Sequence, residues 1–280
     1  MPTADAHLHL FSRGFAGPLG PPPVGCDELG LYERLRHHYG IERGLVIGYE
    51  GEPRYRSNND HLLALAGTRP WIVPLPYLPV SPPPTVEQLR SLRQRGAAGF
   101  SLYLPRAAEA RAFCAWPAAT LDELNLQRAL LSLNARPAAL AAITASLAVL
   151  ERCAVLVSHL GLPGRFARPA SLELARTRLA PLISLSRLAH IAVKLSGLYA
   201  CCEPAHDFPH QSAQPFVDVL LDSFAPARLL WGSDFSPALD FVSFAQLADT
   251  RPLAGCSDDE VDAVMGGNLL RLLKIQTRGE

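Results

Sequence analysis

The sequence predicts an α/β protein built as a single (β/α)8 TIM barrel, and three observations carry that expectation. Eight short runs rich in Val, Ile and Leu are spread over the whole chain, and helical patterns fill the gaps between them. The total of 280 residues suits one such barrel, so residues 1–280 are expected to form one domain. A doubly wound sheet is the alternative arrangement of the same alternation.

The elements follow in order. Thr3–Leu8 is the first expected strand, with a helix over Leu31–Tyr39 closed by Gly40. Gly44–Tyr49 and Trp71–Leu78 are the second and third strands. After the third, Thr85 and Gln88 form a capping box, Val86, Leu89 and Leu92 share a helix face, and Gly96 ends the helix. Strands four and five are Ala97–Leu104 and Leu130–Ala135, the latter followed by a helix over Pro137–Leu150. Ala154–His159 is strand six and leads to a helical stretch over Leu172–Leu188. Ile191–Ser196 is strand seven, with a helix over Gln214–Phe224, and Leu229–Ser233 is strand eight. Proline clusters at Pro18–Pro23 and Pro82–Pro84, which read as rigid loops, too short and too apolar to be domain linkers. The longest irregular stretch after a strand, Gly197–Pro215, is placed where a barrel shapes its substrate pocket.

Composition excludes several classes. With 26 Lys and Arg against 26 Asp and Glu, and no basic run, nucleic acid is not an expected partner. No apolar stretch approaches the roughly 18 residues of a membrane span, and the start MPTADAHLHLF lacks a secretory signal pattern. The expected location is the cytoplasm, the expected partner a small-molecule substrate, and a homo-oligomer is compatible with the sequence. The six cysteines, Cys26, Cys114, Cys153, Cys201, Cys202 and Cys256, have no metal-finger spacing and are expected as mostly buried free thiols.

The chemistry gathers at strand ends. His7 and His9 lie two residues apart and point the same way, into the barrel. His159 ends the apolar run Val155-Leu-Val-Ser, and Asp234 ends Leu230-Trp-Gly-Ser. Four polar groups from three strands would share one mouth, where this fold keeps its catalytic groups. Asp234 also has the competing reading of a helix cap after Gly-Ser. Asn134 and Arg136 share one parity on strand five, and Tyr103 stands at the end of strand four, so these three are candidate substrate contacts. An arginine in a barrel mouth suits a carboxylated substrate, unless Arg136 lies past the strand in solvent. Lys194 shares a face with Ser196 and is either a buried ion-pair member or a substrate ligand.

These motifs, in order DAHLHLF (5–11), SHLGLPG (158–164), VKLSGLY (193–199), WGSDFSP (231–237) and GGNLLRLL (266–273), resemble amidohydrolase family 2, within it the lactonases related to 2-pyrone-4,6-dicarboxylate lactonase. The resemblance covers nearly the whole chain. It implies that His7, His9, His159 and Asp234 form the active site, with Asp234 activating water; in the expected mechanism His159 helps to protonate the leaving oxygen. The same four are the metal ligands it implies, if a metal is held. Against the two-metal members of that superfamily, strand four has no lysine and strand five no histidine, so a binuclear centre is not expected. One divalent ion, zinc being best suited to imidazole and carboxylate, and no metal at all are both open.

The expected activity is hydrolysis of a small, carboxylated cyclic ester. A metal-dependent non-oxidative decarboxylase of the same family and a catalytically silent small-molecule-binding barrel are the alternatives. A serine hydrolase lacks its G-x-S-x-G elbow here, and a dehydrogenase its G-x-G-x-x-G loop.

Overall fold

The structure, a computed structural model, describes residues 1–17 and 27–277. The Pro18–Pro23 cluster and Cys26 lie outside the described residues. Eight parallel strands run in chain order: β1 (Ala4–Leu8), β2 (Arg43–Ile47), β3 (Ile72–Leu75), β4 (Gly99–Leu104), β5 (Leu130–Ala135), β6 (Ala154–Val157), β7 (Ile191–Leu195) and β8 (Leu229–Trp231). Continuous ladders join β1 to β3 and β4 to β8. Backbone bonds bridge both remaining seams. At one, Ser101 N donates to Pro76 O over 2.9 Å and Leu78 N to Ser101 O over 3.0 Å; at the other, Asp234 N donates to His7 O over 2.8 Å. The eight strands therefore close in the order expected of a (β/α)8 barrel.

Each strand leads into a helical crossover, and local sequence explains where several begin. Asp27 accepts from Gly30 N to start the helix Glu28–Tyr39, and Gly40, at φ 71°, ends it. Thr85 and Gln88 form the expected capping box before Val86–Gln94. Ser171 caps Leu172–Ser184, while Gln214–Phe224 has the expected limits. The helices Asn58–Ala66, Ala107–Cys114, Ala118–Leu126 and Pro137–Val149 fill the remaining crossovers between strands. No helix among the described residues is long and apolar enough to cross a membrane.

Several strands are shorter than the sequence suggests. The third stops at Leu75, and beyond it only an isolated bridge from Tyr77 to Ser101 continues the pairing. The sixth stops at Val157, and His159 opens a tight turn with φ 52° instead of ending the strand. The eighth stops at Trp231, and Asp234 too has a left-handed backbone, φ 54°.

Inside the barrel, Ala4, Ala6, Leu45, Ile47, Val73, Leu75, Leu130, Leu156 and Leu230 fill the N-terminal end, and Leu269 closes it from below. The opposite parity packs on the helices, for example Leu131, Leu133, Val155 and Val157 among Leu140, Ile143, Leu179 and Leu182. A fully buried leucine of this kind contributes roughly 1.5–3 kcal/mol. Above the apolar floor the interior turns polar: Ser101 on β4, Ser132 on β5, Lys194 on β7 and His7 on β1 are all buried. The fold thus sets a buried, polar layer directly beneath the mouth.

Candidate active site

A bulge in β1 aims the histidines. Asp5 pairs with Gly44 and Leu8 with Val46, so three steps along β1 oppose two along β2. The extra residue lets Ala6 remain in the apolar floor while His7 and His9 turn into the polar layer. The carboxylate of Asp5 holds this bulge on the outer side. Its Oδ1 accepts from His7 N at 3.0 Å and Ser233 N at 2.9 Å, and its Oδ2 accepts from Ser233 Oγ at 2.5 Å and Tyr32 Oη at 2.8 Å. Two strands and a helix are fixed by one buried side chain.

The four expected groups lie together at the C-terminal mouth. His7 Nε2 is 3.2 Å from His9 Nε2. Asp234 Oδ1 is 3.6 Å from His7 Nε2 and 3.8 Å from His9 Nε2, and its Oδ2 is 3.8 Å from His159 Nδ1. The His159 ring tilts against His7 with centroids 4.5 Å apart, and Ser196 Oγ meets its Nδ1 at 3.0 Å. Close approach requires glycine at two neighbours. A Cβ at Gly197, φ 64°, would stand 2.8 Å from His159 Nδ1, and one at Gly232 would stand 2.8 Å from His7 Cβ.

The carboxylate of Asp234 is not spent on a helix cap: Tyr199 Oη donates to its Oδ2 over 2.7 Å. Burial raises its pKa above the usual carboxylate value, and His9, the Tyr199 hydrogen bond and Lys194 hold it down. Burial lowers all three imidazoles, His9 to about 4, His159 to about 3 and His7 well below its ordinary value. The histidines are thus neutral near pH 7, hydrogen-bonding groups rather than cations.

Lys194 is fully buried, and its Nζ donates to Ser132 Oγ over 2.6 Å and lies 3.2 Å from His7 Nδ1. Burial lowers its pKa to about 7, with Asp5 and Asp234 opposing the shift. The amine thus lies inside the barrel beneath His7, with a hydroxyl and an imidazole as its hydrogen-bonding neighbours.

The expected substrate contacts are spread around the rim. Tyr103 pairs in register with Asn134, both half-buried at the mouth. Tyr103 packs against Tyr49 and Tyr77, with centroids at 4.8 and 6.0 Å, which builds an aromatic wall from the ends of β2, β3 and β4. Burial pushes the Tyr103 phenol well above its ordinary pKa, so it stays protonated. Arg136 is exposed at the start of the helix Pro137–Val149, past the end of β5. It therefore lies in the position of the solvated alternative, above the pocket. Sequence reasoning gave no role to Tyr199, Ser158, Ser132 or Asp5. Tyr199 and Ser158 stood inside quoted motifs, and Ser132 carries the parity of Asn134, which was the available signal.

A divalent cation has a candidate site here. Donor atoms of His7, His9 and Asp234 converge within 4.8 Å of one another. Their separations of 3.2, 3.6 and 3.8 Å are near the roughly 3.3 Å between ligand atoms around tetrahedral zinc with bonds of about 2.0–2.1 Å. The residues fit the group. His159, expected as a fourth ligand, stands outside the converging set, its Nδ1 taken up by Ser196. Among the described cysteines, Cys153, Cys201 and Cys202 are buried free thiols, Cys256 is half-buried and Cys114 exposed.

Comparison with known proteins fits this picture. An amidohydrolase from Burkholderia multivorans, solved with bound zinc, superposes with a TM-score of 0.76 at 22% identity over 97% of this chain and 98% of that one. A protein from Pseudomonas putida assigned as a 2-pyrone-4,6-dicarboxylic acid hydrolase gives 0.68 at 21% identity over 94% of each chain. The 2,6-dihydroxybenzoate decarboxylase from Rhizobium gives 0.63 at 13% over 97% and 99%. At such identities the likeness is one of fold. No curated protein matches the sequence. The amidohydrolase family model, Amidohydro_2, matches residues 4–275, and the chain belongs to that family.

Proposed function

We propose that the protein hydrolyses a small lactone, carboxylated in its best substrates, with Asp234 as the general base. The observation that carries this reading is the setting of Asp234: a buried carboxylate with a raised pKa, held by Tyr199 and faced by three neutral imidazoles. A buried carboxylate with a raised pKa, positioned by a hydrogen bond, is suited to taking a proton from water. The lactonase-like neighbour supports the same class.

In the proposed reaction, Asp234 accepts a proton from water as its oxygen bonds to the lactone carbonyl carbon. The carbonyl oxygen becomes an oxyanion, stabilised by N–H donors of the imidazole cluster. Collapse of that intermediate reforms the carbonyl and breaks the ring C–O bond. The proton held on Asp234 then passes to the departing oxygen, with His159 placed beside it. A divalent ion bound by His7, His9 and Asp234 would supply Lewis acidity to the carbonyl. Tyr103 and Asn134 bind the ring at the mouth, and Arg136 meets a carboxylate reaching the rim.

A panel of lactones with and without carboxylates, assayed by acid release, tests the reading. The same protein is assayed for carbon dioxide release from hydroxybenzoates. Turnover of a lactone is the expected result. Carbon dioxide release without any lactone turnover would replace it with the decarboxylase reading that the Rhizobium neighbour represents.

A further inference from the structure

The end of the barrel opposite the mouth is not evenly sealed. The helix Asn268–Thr277 packs beneath β1 and β8, with Leu269 among the interior side chains. Beside this helix, beneath β6 and β7, a cavity of about 510 Å3 remains, within the roughly 300–1,000 Å3 of small-molecule sites. Its inner wall is apolar: Leu156 of β6, Ala192 of β7 and Leu230 of β8 come from the barrel interior, and Leu272 from the helix. The rim is basic. The connections that enter β5, β6, β7 and β8 place Arg128, Arg152, His190 and Arg228 there, one from each, and the helix adds Arg271. Among the described residues no Asp or Glu lines the cavity, in a chain with as many acids as bases. Two of these guanidiniums are held in place. Arg228 Nη1 donates to the carbonyls of Leu188 and Ile191 over 3.2 and 3.3 Å, and its Nε to Phe224 O over 3.3 Å, which leaves Nη2 without a protein partner among the described residues. Asn268 Nδ2 donates to Pro226 O and Leu229 O over 2.8 and 2.7 Å, and Asn268 Oδ1 accepts from Arg271 Nη2. None of Arg152, Arg228 and Arg271 forms an ion pair among the described residues. Burial pulls Arg228 below its ordinary pKa, with no acid opposing the shift.

We propose that this cavity is a second binding site, for an organic carboxylate with a hydrocarbon body. The body lies on Leu156, Ala192, Leu230 and Leu272, and the carboxylate meets the guanidiniums of Arg152, Arg228 and Arg271. An inorganic anion would leave the apolar wall uncovered, and a neutral hydrocarbon would leave the guanidiniums unpaired. Only an amphipathic anion satisfies both halves of the lining, and the planar guanidinium fork matches the two oxygens of a carboxylate. The site lies at the far end of the strands from His7, His9, His159 and Asp234, so the proposal holds whichever reaction the mouth performs.

Octanoate is the probe, titrated calorimetrically into the full chain at physiological ionic strength, where an exposed charge is screened beyond about 8 Å. Octan-1-ol supplies the body without the charge, and inorganic phosphate the charge without the body. Octanoate is expected to bind, and both controls to bind roughly tenfold more weakly or worse, the scale of a lost hydrogen bond to a charged group. Either control binding as tightly as octanoate overturns the proposal, as does the absence of octanoate binding at millimolar concentration. Two variants locate the site: Arg271→Glu, at an exposed position, and Ala192→Leu, which fills part of the cavity from β7. Each is expected to weaken octanoate binding roughly tenfold or more and to remove the rise in melting midpoint that octanoate gives the wild type. Octanoate affinity unchanged in Arg271→Glu places the anion elsewhere and overturns the proposal by itself, so the test stands even if Ala192→Leu does not fold.

Discussion

The hydroxyl of Tyr199 donates to Oδ2 of Asp234 over 2.7 Å, and both side chains are buried. This bond stabilises the ionised carboxylate and fixes the carboxylate plane, leaving Oδ1 toward the histidines. Tyr199→Phe removes the donor and leaves the ring stacked on Phe241. A hydrogen bond to a charged group contributes about 1.5–3 kcal/mol, so kcat/KM should fall roughly ten- to a hundredfold. The sign of the pH effect follows from the same bond. Burial already raises the pKa of Asp234, Tyr199 lowers it, and losing Tyr199 raises it further. The wild-type acid limb should lie above the ordinary carboxylate range, and the variant's should lie higher still, so the defect grows as pH falls. A pH–rate profile with an unmoved limb would disprove the link.

Asp234→Asn keeps the shape and removes the base. It should fold with an unchanged denaturation midpoint, bind substrate, and lose about a hundredfold to ten-thousandfold in kcat. Near-wild-type turnover in this variant would rule out the proposed mechanism.

Much of this site is legible in the sequence because barrel chemistry sits at strand ends, and strand ends are marked by where apolar runs stop. His7, His9, His159 and Asp234 were all visible that way. What was not legible lies in backbone geometry. The bulge at Asp5 breaks the alternation that a period-two reading assumes, and the left-handed turns at His159 and Asp234 take those residues out of the strands. The direction in which Lys194 points depends on neighbours from β1 and β5, far away in sequence. For Arg136, parity with Asn134 left a pocket contact and a solvated position both open; the strand ends at Ala135, and Arg136 stands exposed at the N-cap of the next helix.

Position still gives Arg136 a testable role. An exposed guanidinium at the rim, remote from the bond being broken, holds ground state and transition state nearly alike. Arg136→Met should raise KM for a carboxylated lactone, leave kcat close to wild type, and have no effect on a lactone without a carboxylate. Steady-state kinetics on such a matched pair decides it.

His9 contributes one of three converging donor atoms, so His9→Ala should abolish measurable zinc binding in competition with a chromophoric chelator. Retained affinity would place the cation elsewhere.

The final prediction concerns Asp5, whose carboxylate meets the backbone of His7 but none of the reacting side chains, and yet organises them. Its two oxygens accept four hydrogen bonds, two from backbone N–H groups and two from hydroxyls. Burial raises its pKa to about 6, with Ser233, His7 and Tyr32 opposing the rise, so the group is mainly ionised and acceptor-only at pH 7.5. Asp5→Asn is nearly isosteric, but its amide nitrogen must face one pair of those donors. Either the bulge that aims His7 or the link to Ser233, one residue before Asp234, is then left facing a donor. A buried donor without an acceptor costs about 1–3 kcal/mol, and the urea midpoint at pH 7.5 should fall accordingly. Tyr32→Phe removes one donor without creating a clash and should cost less. Because the lost contacts hold His7 and the Asp234 turn in place, kcat should fall with stability in Asp5→Asn but stay near wild type in Tyr32→Phe. An Asp5→Asn protein with wild-type midpoint and turnover would show that the strands themselves, and not this carboxylate, set the geometry of the mouth.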